Sequence, residues 1–160
     1  MIIFSQNSPN YRHMKYGKGT VGKCGCEAVA ACNALEFLGR GIPFADVVKA
    51  FEMRFSNGGG FLAKGRLGAT PLDVSLFLRS RGLNPESGTL RQLSEIKSPG
   101  VFIVSYWNKP FTKGIHTIAV DYDGKRYTAA NYEAKLCSKE RLEDFLPDRI
   151  HFLRGYYISK

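Results

Sequence analysis

Apolar residues recur at positions 28, 31, 32, 35 and 38 of a stretch that runs without Gly or Pro from Cys26 to Leu38 and stops at Gly39. That spacing predicts a helix with one buried face, ended by a glycine, with Gly41 and Pro43 just beyond. A second helix opens at Ile42-Pro43, with proline in its first turn and Phe44, Val47, Val48, Phe51 and Phe55 as its apolar stripe. Thr70-Pro71 starts a third, with Leu72, Val74, Leu76, Phe77 and Leu78 on its buried side up to Arg81-Gly82. Thr89-Leu90-Arg91-Gln92-Leu93 starts a short fourth, which ends before Ser98-Pro99-Gly100.

From there the period changes. Residues 101–107 are β-branched and aromatic and predict a buried strand, broken by Asn108-Lys109-Pro110. Residues 114–131 predict two strands joined by a tight two-residue turn at Asp123-Gly124. Ser138 is expected to cap a short helix over Lys139–Leu146, and Ile150 to Ser159 a last strand. A helical first half and an antiparallel second half make the expected class α+β, in a single domain over residues 1–160. Residues 5–25 are polar, Gly-rich and aperiodic, an arm leading into the first helix. The loop up to Ala69 holds Gly58, Gly59, Gly60, Gly65 and Gly68 and is suited equally to covering a cleft or to plain connection.

Hydrophobic content of 44% with 12% aromatics indicates an ordered core. Met1-Ile2-Ile3-Phe4 is too short for a membrane span or a signal segment, so the expectation is a cytoplasmic protein with no membrane partner. Four cysteines in 160 residues make no disulfide scaffold and fit reduced thiols. The net charge of +9 raises nucleic acid as a partner, but Lys and Arg are scattered singly and in pairs, which favours an ordinary solvated surface.

The candidate chemistry lies at the start of the first helix. Cys26 occupies its first turn, where unpaired N–H groups and the dipole favour a thiolate. Cys32, mid-helix on the apolar face, is read as core. Cys24 shares the helix start and competes with Cys26. No Cys-x-x-Cys or His-x-His pair accompanies the Cys-x-Cys, so zinc is disfavoured and no cofactor is implied. A nucleophilic thiol needs a base, and the chain has His13, His116 and His151. His13 falls in the polar arm, as a surface residue. His151 starts the last strand with nothing nearby to complete a site. His116 and Asn131 lie equidistant from the expected turn (123 − 116 = 131 − 124 = 7) and are therefore cross-strand neighbours, so the Asn side chain can orient the imidazole. Trp107, at the strand's end beside the 108–115 loop, is read as core, with a cleft wall as the alternative.

A cysteine opening a central helix, a distant His on a strand and an Asn on the next strand resemble the papain-like cysteine peptidases. The chain is most similar to the small bacterial branch that includes the leader-peptide peptidases of bacteriocin exporters. In that branch the nucleophile helix ends in a Leu/Tyr–Gly step, as Leu38-Gly39 does, and the distance to that glycine selects Cys26 over Cys24. The resemblance implies a papain-like fold and a Cys26–His116–Asn131 triad. It also implies an oxyanion-hole Gln a few residues before the cysteine, where this chain has Lys-Gly-Thr-Val-Gly-Lys at 18–23. The Cys26 N–H supplies one donor; Gln6, Asn7, Asn10 and Tyr16 of the arm are the candidates for the second.

The expected activity is that of a bacterial or phage cysteine peptidase, an enzyme cleaving a peptide or isopeptide bond of a protein or peptide substrate. The same triad serves an acyltransferase or transglutaminase-like enzyme, and a non-catalytic basic binding protein on the same fold is the third alternative. Pairing with an imidazolium at a helix N-terminus is expected to pull the Cys26 thiol below its free pKa of ~8.5.

Overall fold

The computed structural model describes residues 1–56, 68–109, 114–147 and 151–160, with main chain only at 54–56. A small ribbon of β1 (Lys15–Tyr16) and β2 (Gly19–Thr20) leads into the short α1 (Val21–Cys24) and then α2 (Cys26–Phe37). After α3 (Phe44–Ser56) and α4 (Pro71–Ser80) come β3 (Glu86–Gly88), α5 (Leu90–Ser94) and β4 (Gly100–Trp107). The chain continues through β5 (Ile115–Tyr122), β6 (Tyr127–Ala130), β7 (Cys137–Lys139), a 3₁₀ turn at Leu142–Phe145 and β8 (Phe152–Ser159). Six strands form an antiparallel sheet in the order β3-β8-β4-β5-β6-β7. The class is α+β, helices first and most of the sheet after. The glycine-rich stretch 57–67 falls outside the described residues.

Alternation along the central strands sorts the core onto the two faces of the sheet. Val101, Ile103, Ala119, Tyr156 and Ile158 pack with α2, α3 and α4. Phe102, Val104, Ile118, Val120 and Tyr157 pack on the other face with Leu93, Leu142 and Phe145. Because α2 lies between the sheet and both α3 and α4, residues 26–35 are buried on every side, where the periodicity predicted one buried face. Gly39, at φ +69°, ends it; the left-handed turn lets Arg40 N–H reach back to the Leu35 carbonyl at 2.8 Å.

Three expected elements differ. In α4, Val74, Phe77 and Leu78 are buried, but Leu72 and Leu76 are exposed, because only one face of the helix meets its neighbours. Ser138 caps no helix: its segment pairs with β6 as β7, Ala129 opposite Cys137, and the expected helix shrinks to the 3₁₀ turn that buries Leu142 and Phe145. The β5–β6 connection spans four residues, 123–126, where two were expected. Asp123 Oδ1 accepts from the N–H groups of Lys125 and Arg126, both at 2.8 Å, and Tyr122 stacks on Tyr127 with centroids 4.2 Å apart. That Asx-type cap and ring pair hold the wider turn and move the register by two residues. β6 then ends at Ala130, so Asn131 is not the cross-strand partner of His116.

Candidate functional site

A break in the helix gives the two competing cysteines different settings, although both line the same cleft. Gly25 separates α1 from α2, and a Cβ there would sit 2.7 Å from the Val21 carbonyl oxygen, so only glycine fits. Cys24 closes α1, half-buried, its Sγ donating to the Thr20 carbonyl at 3.4 Å. Cys26 opens α2, so its N–H has no partner within the helix, and its side chain is buried. All four cysteines are free thiols.

Cys26, His116 and Asn131 line one cleft of about 790 Å³ at the end of the sheet where β5 begins. Trp107 is 37% exposed and forms one wall rather than part of the core; exposed Lys18 and Lys23 stand at the rim. β6 stops at Ala130, which leaves β5 without a strand neighbour on that side between Ile115 and Ile118. Cys26 Sγ lies against this stretch, 3.8 Å from the Ile115 carbonyl oxygen and in reach of the Thr117 N–H.

Asn131 does hold His116, by a route the sequence did not reveal. His116 Nε2 is 2.7 Å from the backbone carbonyl oxygen of Asn131, not from its side chain. A carbonyl only accepts, so Nε2 carries the proton and Nδ1 the lone pair. Asn131 turns its carbonyl there by adopting φ +62°, a left-handed conformation that Asn tolerates far better than most side chains. The Asn131 side chain faces the N-terminal arm: Oδ1 accepts from Gln6 N–H at 2.8 Å, and Nδ2 donates to Gln6 Oε1 at 3.3 Å. Tyr106 backs the imidazole edge-on, with centroids 5.8 Å apart.

Among the described residues, His116 is not a hydrogen-bond partner of the sulfur. Cys26 Sγ instead donates to Glu27 Oε2 at 3.1 Å. Glu27 is buried in α2, and its other oxygen accepts from Thr117 Oγ1 at 3.4 Å; Thr117 Oγ1 in turn lies 2.9 Å from Ser105 Oγ. Residues 105 and 117 are opposed on β4 and β5 and face α2, so this polar chain runs from the sheet to the sulfur. The ionisation expected for Cys26 is thereby reversed. Burial and the adjacent Glu27 carboxylate push the thiol well up, and burial pushes the His116 imidazole down. Burial also lifts Glu27 itself, to about 7. Both directions favour a neutral thiol and a neutral imidazole over an ion pair.

Of the four arm residues considered for the oxyanion hole, Gln6 and Asn7 line the cleft. Tyr16 is fully buried in the core and Asn10 is exposed away from the cleft lining. Gln6 is the fixed one: besides its Asn131 contacts, Nε2 donates to the Gly22 carbonyl at 3.1 Å, which leaves its second N–H. The arm is anchored upstream by buried Asn33, which bonds both backbone groups of Ile3, at 2.7 and 2.9 Å. The other histidines stand apart: His13 is exposed against Arg12, and His151 is buried just before β8.

Sequence reasoning missed Glu27, Thr117 and Ser105. The available signal was a carboxylate beside Cys26 at the head of an apolar run, Ala28 to Cys32. No family model and no curated protein matches the chain.

Proposed function

We propose that the chain is a papain-like thiol hydrolase that acts on a peptide or isopeptide carbonyl, with Cys26 as nucleophile and His116 as base. The observation that carries this reading is the shared cleft, lined by a cysteine at a helix start and by His116, whose Nε2 is held by the Asn131 carbonyl so that Nδ1 is unprotonated. Cys26 Sγ attacks the carbonyl carbon as its proton passes to Nδ1. The C–N bond breaks, the amine leaves with that proton, and an acyl thioester remains on Cys26. Water then attacks the thioester, returning a proton through His116 and freeing the thiol. The Cys26 N–H and the second N–H of Gln6 Nε2 are the donors suited to the oxyanion, the latter arriving from the arm rather than from just before the cysteine. Reduced thiols fit a cytoplasmic setting.

The test uses p-nitrophenyl acetate and follows the acetyl thioester on Cys26 by mass spectrometry. The expected result is thioester formation that Cys26→Ser removes and His116→Ala slows by about 10²-fold or more. Decay of the thioester in water alone supports hydrolysis; decay only with added amine moves the assignment to acyl transfer. Equal acylation in wild type and His116→Ala would end the reading.

A further inference from the structure

The catalytic scheme leaves one buried titratable group unused. Glu27 neighbours the nucleophile in sequence, is 4% exposed and accepts the sulfur's hydrogen bond at 3.1 Å. Its second oxygen is engaged by Thr117, itself steadied by Ser105. The carboxylate is thus held at both ends, with one oxygen fixed on the sulfur. An anion at that distance opposes a second negative charge on the sulfur, and its lone pair gives the thiol proton somewhere to point. Asp73, Tyr16 and Cys24 gain only negative charge on ionising. The cations of the same cleft are Lys18 and Lys23, exposed at its rim, and His116, which burial pushes towards its neutral form. The hydrogen bonds of Glu27 run to Cys26 and Thr117. The helix N-terminus favours a thiolate by a modest amount; burial first, and then the adjacent carboxylate, push the thiol the other way.

We propose that Glu27 is a positioning residue that restrains Cys26, holding the nucleophile as a neutral thiol aimed at the carboxylate until that carboxylate loses its charge. This rests on Cys26 being the nucleophile, and it assigns that site a latent resting state. Glu27→Gln is close to isosteric. Its oxygen can keep the Thr117 contact while its NH₂ replaces the acceptor facing the sulfur, so the sulfur meets a donor, which favours thiolate. Thr117→Val acts on the same restraint more weakly: without the hydroxyl donor, Glu27 ionises less readily.

The experiment measures the alkylation rate of Cys26 by iodoacetamide against pH in a Cys24→Ser background, with the site of modification assigned by fragment spectra because Cys26 and Cys32 share one tryptic peptide. In wild type, Cys26 is expected to react slowly at pH 7. In Glu27→Gln the midpoint should fall and the rate at pH 7 rise by about tenfold for each unit of the fall. Thr117→Val should rise by less, and it carries the test if Glu27→Gln does not fold. Rates at or below wild type in the folded variants would overturn the restraint while leaving the thioester test untouched. A faster Glu27→Gln combined with no Cys26 thioester would uphold the restraint and remove the hydrolase.

Discussion

Replacing Asn131 by Gly and by Val separates a backbone-held histidine from a side-chain-held one. In both variants the two contacts to Gln6 are lost, at 2.8 and 3.3 Å. At about 0.5–1.5 kcal/mol per bond, and less for the longer one, that loss is about 1–2 kcal/mol in each. The variants then diverge at the backbone. Glycine adopts φ +62° without strain, which offsets part of its extra unfolded-state entropy, so Asn131→Gly should cost about 1–2 kcal/mol in total. Valine pays about 1–2 kcal/mol more for a left-handed β-branched residue, or it flips the turn and withdraws the carbonyl from Nε2. Urea unfolding reads the stability difference, and ¹⁵N NMR of the imidazole reads the tautomer. The Gly variant should keep the Nε2–H tautomer of His116; the Val variant should show a mixture and titrate differently. If both variants lose the tautomer alike, the carbonyl does not hold the histidine and the account of the base is wrong.

Asn33→Leu should cost about 2–4 kcal/mol in urea unfolding, because it orphans the buried N–H and C=O of Ile3; it should also speed proteolysis within residues 1–10, and a change under ~1 kcal/mol with the arm still protected would show that Asn33 does not anchor it. The stability of the wild-type chain should carry a component that falls as pH rises from about 4.5 to about 7. Glu27 titrates higher in the fold, at about 7 against 4.5, so the folded state binds the extra proton across that window and loses the advantage above it. Glu27→Gln should flatten that component and gain on wild type by a few kcal/mol at pH 8; unfolding curves that shift in parallel at every pH would refute it.

The periodicities marked α2, α3, α4, α5, β4 and β5 because each reflects local residue spacing that the tertiary structure uses directly. The place of Cys26 at a helix start was legible for the same reason: a helix start is a local property. The His116–Asn131 pairing was legible as proximity but not as contact. The two-residue turn failed because Asp123 caps two successive N–H groups and Tyr122 stacks on Tyr127, which widens the loop to four residues. The shift by an even number preserved the face of the strand, and the left-handed turn at Asn131 then restored a partner through the main chain, which no side-chain pattern encodes. The Ser138 helix failed because edge pairing with β6 overrode a capping signal. The thiol's ionisation was misjudged because burial of α2 on every side, and hence the enclosure of Glu27, depends on where α3, α4 and the sheet lie.

The clasp between Gln6 and Asn131 spans 125 positions, and the β5 carbonyl against the sulfur lies 89 positions from Cys26. A chain made in order from its N-terminus therefore presents Cys26 long before β5 and the Asn131 turn exist. During that interval the Ile115 carbonyl and the Thr117 hydroxyl, which face Cys26 and Glu27 in the fold, are missing. Closing such long loops comes late in folding. The sulfur thus passes from an unguarded to a guarded state once residues 115–131 have folded against α2. A product truncated before residue 131 would lack both the carbonyl that holds His116 and the clasp on the arm.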